Sequence, residues 1–297
     1  MTRIVNNCVA LVCLCLFWGQ SLRAADASHS EQIKWGNESV FNEEHNTLGL
    51  FSGVLGGQIV LAGGTSDDYS RWGRNAVCLS ENAGFALYED VLSKPLAYGA
   101  SITLSDGILC IGGRDSSQCY EDVFFVTMQQ GKLNVSEDWP PLPFPLSNAA
   151  GALLDNKVYL FGGRKSVSPS RLSDSFFVLD LSNKSRGWKE LPGYPGCVRE
   201  DAILVVQNNG VSPCLYLLGG QTETEEGLSS CLTDGYVYNP QLGKWSSLGS
   251  DFPKGICAAV ASGGQPVSSF SERAGSIHSI LKKRMLYGNT IQLRRLL

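Results

Sequence analysis

Gln58-Ile-Val-Leu-Ala-Gly-Gly64, Gly107-Ile-Leu-Cys-Ile-Gly-Gly113, Lys157-Val-Tyr-Leu-Phe-Gly-Gly163 and Cys214-Leu-Tyr-Leu-Leu-Gly-Gly220 are four versions of one pattern, a short apolar run ending on two glycines. Their second glycines stand 49, 50 and 57 residues apart. Each run follows another apolar or small-residue stretch, at 49–55, 98–104, 148–154 and 199–206. Turn residues such as Ser105-Asp106-Gly107 separate the two, which is the mark of a β-hairpin. A third strand-like segment follows at 121–128, 174–181 and 233–238. Trp139, Trp188 and Trp245 then recur 26, 25 and 25 residues after their diglycines, with Tyr88 at 24 in the first repeat.

Four short strands in a unit of about 50 residues, with no helical periodicity between them, make one blade of a β-propeller, and the period falls in the Kelch range. A blade is apolar on both faces and must be covered by its neighbours. Glycines let the backbone approach the next blade closely, and a large aromatic fills the layer between blades. The expectation is an all-β, Kelch-type β-propeller with four clear repeats and a partial fifth opening at 255–261. The diglycines and the three tryptophans are assigned to structure, because neither glycine-rich phosphate-loop pattern occurs.

Outward from the repeats, residues 1–27 carry Arg3, an apolar run of 11 residues (8–18) and a small-residue end, the layout of a cleaved export signal. The run is well short of the about 20 residues that cross a bilayer. This predicts a periplasmic or secreted protein with no membrane span after cleavage. Residues 28–47 read as a lead-in, 48–262 as the propeller and 263–297 as an irregular basic tail. The abrupt loss of the repeat in the tail predicts a C-terminally truncated or frame-shifted form.

The net charge of −4, with no basic stripe, argues against nucleic-acid partners. Seven cysteines lie beyond the signal (Cys78, Cys110, Cys119, Cys197, Cys214, Cys231 and Cys257), an odd number. Cys110 and Cys119 are the nearest pair, but spacing leaves the connectivity open. With no C-x-x-C among them and only three histidines in the chain, no metal site and no cofactor are expected.

The blocks Gly49-Leu-Phe-Ser-Gly53, Leu96-Ala-Tyr-Gly-Ala-Ser101, Leu142-Pro-Phe-Pro-Leu-Ser-Asn-Ala-Ala-Gly-Ala152 and residues 195–202, in this order, are more particular than diglycines alone. Here the chain resembles the cyclically permuted mutarotase branch of Kelch proteins, relatives of bacterial N-acetylneuraminate epimerase. The resemblance implies six blades and the interconversion of sialic acid anomers, with an acidic sugar as ligand. Such chemistry needs groups that move a proton to and from the sugar and an arginine that grips its carboxylate.

Residues just before each innermost strand face the axis of a propeller, which nominates Tyr98, Asn148, Arg199 and Glu200. The loops after the diglycines add Arg114 and Arg164. Arg199 leads, because its Arg-Glu-Asp-Ala context also fits the family. The resemblance further implies a catalytic glutamate directly after the second strand of a later blade. That blade has no recognisable counterpart here, so the catalytic residue is unassigned and an inactive form is one expectation. The alternative is a non-catalytic secreted propeller that binds glycan or protein. Oligomeric state is left open.

Overall fold

The computed structural model describes residues 48–80, 84–224, 228–249 and 251–259. The expected export signal (1–27), the lead-in, residues 260–262 and the basic tail lie outside the described residues.

Four antiparallel sheets of four strands follow one another along the chain. Blade 1 is β1 (Phe51–Leu55), β2 (Gln58–Ala62), β3 (Ala76–Ser80) and β4 (Gly84–Tyr88). Blade 2 is β5 (Ala100–Thr103), β6 (Ile108–Ile111), β7 (Val123–Gln129) and β8 (Lys132–Ser136). In blade 3, β9 (Ala150–Leu154) and β10 (Lys157–Phe161) pair as the hairpin expected from the sequence. After β10 comes a two-stranded ribbon, β11 (Arg164–Ser166) with β12 (Arg171–Leu172), before β13 (Phe176–Asp180) and β14 (Lys189–Glu190) complete the sheet. Blade 4 repeats that plan: β15 (Ile203–Asn208), β16 (Pro213–Leu218), the ribbon β17 (Gln221–Glu223) with β18 (Ser229–Cys231), then β19 (Gly235–Asn239) and β20 (Lys244–Ser247).

The second strand of each blade is buried on both faces, which is why its sequence is a continuous apolar run rather than an alternation. One core joins Phe51, Val60 and Cys78 of blade 1 to Ile108, Cys110 and Phe124 of blade 2. A second joins Ile102, Leu109 and Phe125 to Val158, Leu160 and Phe177. A third joins Tyr159, Phe161 and Phe176 to Leu204, Leu215 and Tyr238. The aromatics at the constant offset reach between blades as expected. The Trp188 indole donates to the Pro140 carbonyl (3.0 Å) and that of Trp245 to Pro192 (3.3 Å).

Two sets of backbone hydrogen bonds set the spacing. The second glycine of each pair donates to the carbonyl of the residue leading into the next blade: Gly64 to Leu96, Gly113 to Leu146, Gly163 to Arg199 (each 2.8 Å) and Gly220 to Ile256 (2.7 Å). Closer to the axis, Tyr98 donates to Gly49 (2.7 Å), Asn148 to Tyr98 (2.6 Å), Asp201 to Asn148 (3.0 Å) and Ala258 to Asp201 (3.0 Å). All five residues of this line have positive φ, between 49° and 63°. The turn they impose explains why β5 and β9 begin two residues later than the apolar stretches at 98 and 148 suggest.

The line reaches Ala258, so the fifth repeat opens as the others do. Its docking is locked by a Cys231–Cys257 disulfide, which ties the β17–β18 ribbon to the new blade's first residues. Cys110 and Cys119 are both free and buried, and so are Cys78 and Cys214; Cys197 is free and exposed.

Gly162 shows the tolerance at these joints. Its φ is +66°, and a Cβ placed there would lie 2.6 Å from the Arg199 carbonyl oxygen, a backbone atom that cannot swing aside. Left-handed strain alone costs a non-glycine residue about 1–3 kcal/mol. Gly162→Ala is expected to lower unfolding free energy by at least that amount in urea titration, against a change within about 0.5 kcal/mol for an exposed-site control.

Candidate functional site

Antiparallel bridges place the residue after each diglycine beside the residue that opens the same blade: Leu48 with Thr65, Ala97 with Arg114, Ser147 with Arg164, and Glu200 with Gln221. These pairs and the axial line of left-handed residues bring side chains of blades 1 to 4 to one mouth.

On the blade 1 and 2 side, the Arg114 guanidinium carbon lies 4.7 Å from the ring centre of Tyr98 and 5.1 Å from that of Trp72. The two rings stand edge to face at 6.3 Å. Burial, and then pairing with the Tyr69 hydroxyl, pushes the Tyr98 phenol well above the usual tyrosine range, so it keeps its proton. Among the described residues the Arg114 guanidinium makes one hydrogen bond, from Nη1 to the Asp115 carbonyl (3.3 Å). Its remaining guanidinium N–H groups are available, and the two rings hold the cation in place.

Across the axis, Asn148 Nδ2 donates to Asp201 Oδ1 (2.9 Å) and Gln221 Nε2 donates to Asp201 Oδ2 (2.9 Å) and to Glu200 Oε1 (3.2 Å). Asn148 Oδ1 is buried and has no hydrogen-bond partner among the described residues. Burial pushes the Asp201 carboxyl up to about 6; the Asn148 hydrogen bond holds it down, the neighbouring Glu200 charge raises it, and Arg164 and Arg114 lower it.

Arg164 and Glu200 meet each other. Nε donates to Oε2 (2.8 Å) and Nη2 to Oε1 (2.5 Å), a two-pronged pair in which Glu200 is almost wholly buried. Nη1 of Arg164 donates to Ser170 Oγ (2.5 Å), Nη2 to Glu223 (3.3 Å), and Ser170 in turn donates to Glu223. The pair braces β11 against β17 and leaves little of either charge for a ligand.

Arg199, the leading sequence candidate, is fully buried. Its Nη1 and Nη2 donate to the two Asp234 carboxylate oxygens (2.6 and 2.7 Å), Nη1 also to the Gly219 carbonyl (2.7 Å), and Nε to the Tyr194 hydroxyl (2.8 Å). Tyr194 and Tyr236 rings flank it at 5.1 and 5.5 Å. Protein acceptors fill the guanidinium, so it ties blade 3 to blade 4 and does not reach the mouth.

Of the six sequence candidates, then, Tyr98, Asn148 and Arg114 face the mouth, Arg164 and Glu200 buttress it, and Arg199 lies behind it. Sequence reasoning missed Trp72, Gln221 and Asp201. Asp201 had a signal: it occupies the same register as Tyr98 and Asn148, 53 residues after the latter. Among the described residues no group of three or more His, Cys, Asp or Glu is placed to hold a metal ion. No helix among them is long and apolar enough to cross a membrane.

The family model for N-acetylneuraminate epimerase matches residues 139–270, a stretch that contains blades 3 and 4 with Asn148, Arg164, Glu200, Asp201 and Gln221. The chain folds as a Kelch-type β-propeller, and over blades 3 and 4 it is similar to the N-acetylneuraminate epimerase family. It is 30% identical over 128 residues to an N-acetylneuraminate epimerase of Yersinia pestis (strain Pestoides F), covering 42% of this chain and 30% of that one. It is 31% identical over 121 residues to an N-acetylneuraminate epimerase of Haemophilus influenzae (strain PittEE), covering 41% and 29%. A Kelch domain-containing protein of Vibrio cholerae is 31% identical over 121 residues, covering 40% and 31%. The chain thus spans about 30% of the length of the curated relatives it matches. The fold is shared with the solved structure of YjhT, with a TM-score of 0.57 at 14% identity over 72% of this chain and 73% of that one.

Two stability measurements separate the roles within this site. Arg199→Ala strands Asp234 beside buried carbonyls and is expected to cost about 3–5 kcal/mol by chemical denaturation. Asp201 works in the opposite sense. Its folded value of about 6 lies above the unfolded 3.8, so the folded state holds the extra proton between those values and stability falls as pH rises through that window. Asp201→Asn removes the charge, and the new amide finds an acceptor in Asn148 Oδ1 once that side chain turns. The variant is expected to melt above wild type at pH 7.5, with the advantage gone at pH 3.5.

Proposed function

We propose that this chain is a sialic acid mutarotase-like propeller, exported to the periplasm or beyond, that binds an acidic sugar at the mouth formed by Tyr98, Arg114, Asn148 and Asp201. The observation that carries the reading is Arg114. Among the described residues it is the one arginine of the three sequence candidates whose guanidinium has no carboxylate partner, and it is held against two aromatic rings. That arrangement suits two-pronged recognition of a carboxylate. Asn148 Oδ1 adds an acceptor that a sugar hydroxyl would satisfy. The Trp72 and Tyr98 rings offer apolar edges to a pyranose face. The Cys231–Cys257 disulfide supports export, since such bonds persist in oxidising compartments.

A binding-only reading draws on one observation. The residue after each diglycine is Thr65, Arg114, Arg164 or Gln221, and none is the glutamate that the family resemblance implies. Two measurements decide between the readings. NMR exchange spectroscopy on N-acetylneuraminate is expected to show faster interconversion of its anomers with the protein than without it. Isothermal titration is expected to show Arg114→Ala weakening sugar binding roughly 10- to 100-fold, the loss of a charged hydrogen-bonded pair. Binding without faster exchange would establish the non-catalytic propeller.

A further inference from the structure

The mouth contains a carboxylate that the family resemblance does not account for. Asp201 is held at four points. Its N–H donates to the Asn148 carbonyl and its own carbonyl accepts from Ala258, each at 3.0 Å, while the two amides of Asn148 and Gln221 each take one carboxylate oxygen at 2.9 Å. Its backbone stays at φ 52°, left-handed strain of the kind that persists where surroundings over-determine a functional residue. A carboxylate accepts at about four lone-pair sites. The two amides occupy one on each oxygen and leave the other of each pair for a ligand.

We propose that Asp201 is the proton-transfer group of this site, carrying a proton between the anomeric hydroxyl and the ring oxygen of a bound acidic sugar; this rests on the mutarotase reading given above. The two sugar oxygens share one carbon, so a single carboxylate reaches both. One Asp201 oxygen takes the hydroxyl proton as that oxygen forms the carbonyl. The ring C–O bond breaks with its electron pair passing to the ring oxygen, and Asp201 returns the proton there. Rotation of the open chain and closure on the other carbonyl face run the steps in reverse. The sugar gains and loses nothing, and no co-reactant enters.

The charged and titratable groups around Asp201 are consistent with this role. Glu200 precedes it in the chain, but its carboxylate is matched by Arg164, which also engages Glu223 of β17. Arg114 and the protonated Tyr98 face it from blade 2. The carboxyl titrates at about 6, where both its acid and its base forms are available near neutral pH, as efficient proton transfer requires.

The test measures catalysed anomer exchange and sugar affinity from pH 4.5 to 8 for wild type, Asp201→Asn and Asp201→Glu. Wild-type exchange is expected to rise through an inflection near pH 6 that matches the carbon-13 titration of the Asp201 carboxyl. Asp201→Asn is expected to lose on the order of 100-fold in exchange measured at saturating sugar, its affinity being determined separately by isothermal titration. Asp201→Glu is expected to recover part of the rate with a displaced inflection. An Asp201→Asn protein that exchanges at the wild-type rate overturns the role and leaves the mutarotase reading standing. Wild-type protein with no effect on exchange overturns that reading and the role with it. If Asp201→Asn does not fold, a wild-type inflection that departs from the Asp201 titration by more than one pH unit overturns the role on its own.

Discussion

The axial line of backbone hydrogen bonds, from Gly49 through Tyr98, Asn148 and Asp201 to Ala258, is the constraint on which the rest of the structure depends. A propeller blade has no reason to stop at a particular distance from its neighbour if apolar packing alone holds it, because burial is non-directional. A hydrogen bond has a length and an angle. Each of these contributes only about 0.5–1.5 kcal/mol net, yet each sets where one innermost strand begins relative to the previous one. The diglycine bonds do the same one step further from the axis. Between them, consecutive blades are fixed at two points on one end, and the apolar cores fill the space so defined.

That geometry explains the quality of the site. A residue held in the left-handed region with both its N–H and its carbonyl engaged cannot relax, so the side chains of Tyr98, Asn148 and Asp201 leave the backbone in fixed directions toward a common mouth. The arginines around them are distinguished by what surrounds them rather than by their own chemistry. Arg199 has Asp234, Gly219 and Tyr194; Arg164 has Glu200, Glu223 and Ser170; Arg114 has two aromatic rings and one carbonyl. A ring face attracts a guanidinium without using its N–H groups. A carboxylate uses two of them. Only the first leaves a cation able to recognise a further anion.

The repeat was legible because the physics behind it is local. A buried second strand demands a continuous apolar run, and the joint that follows demands glycine at positive φ with no Cβ against the neighbouring carbonyl, so both requirements are written at fixed positions such as 157–163. The site was half legible. Arg114 is reached by asking which residues follow the diglycines, and Tyr98 and Asn148 by asking which lie just before the innermost strands. Arg199 is misjudged by the same rule because its fate depends on Asp234, 35 residues on in another part of blade 4, and no local pattern announces that meeting. The ribbons β11–β12 and β17–β18 were also missed. Their strands of two or three residues are too short to show alternation, yet they carry Arg164, Gln221 and Glu223 into the network.

The ribbon of blade 4 also ties that blade to the fifth repeat. It places Cys231 at the end of β18, where Cys257 meets it, and a cross-link closing a loop of 26 residues contributes about 3.5 kcal/mol by the loop-entropy estimate. The benefit falls on the Asp201 carbonyl, whose donor, Ala258, is the next residue in the chain after Cys257. Asp201 is therefore gripped from the blade 3 side by the Asn148 backbone and from the fifth repeat by a strand end that a covalent bond keeps in place. Ala258 occupies the register of Gly49, Tyr98, Asn148 and Asp201 but offers no functional side chain. Among the described residues the fifth repeat meets the site through its backbone, and the polar side chains of the mouth come from blades 2 to 4.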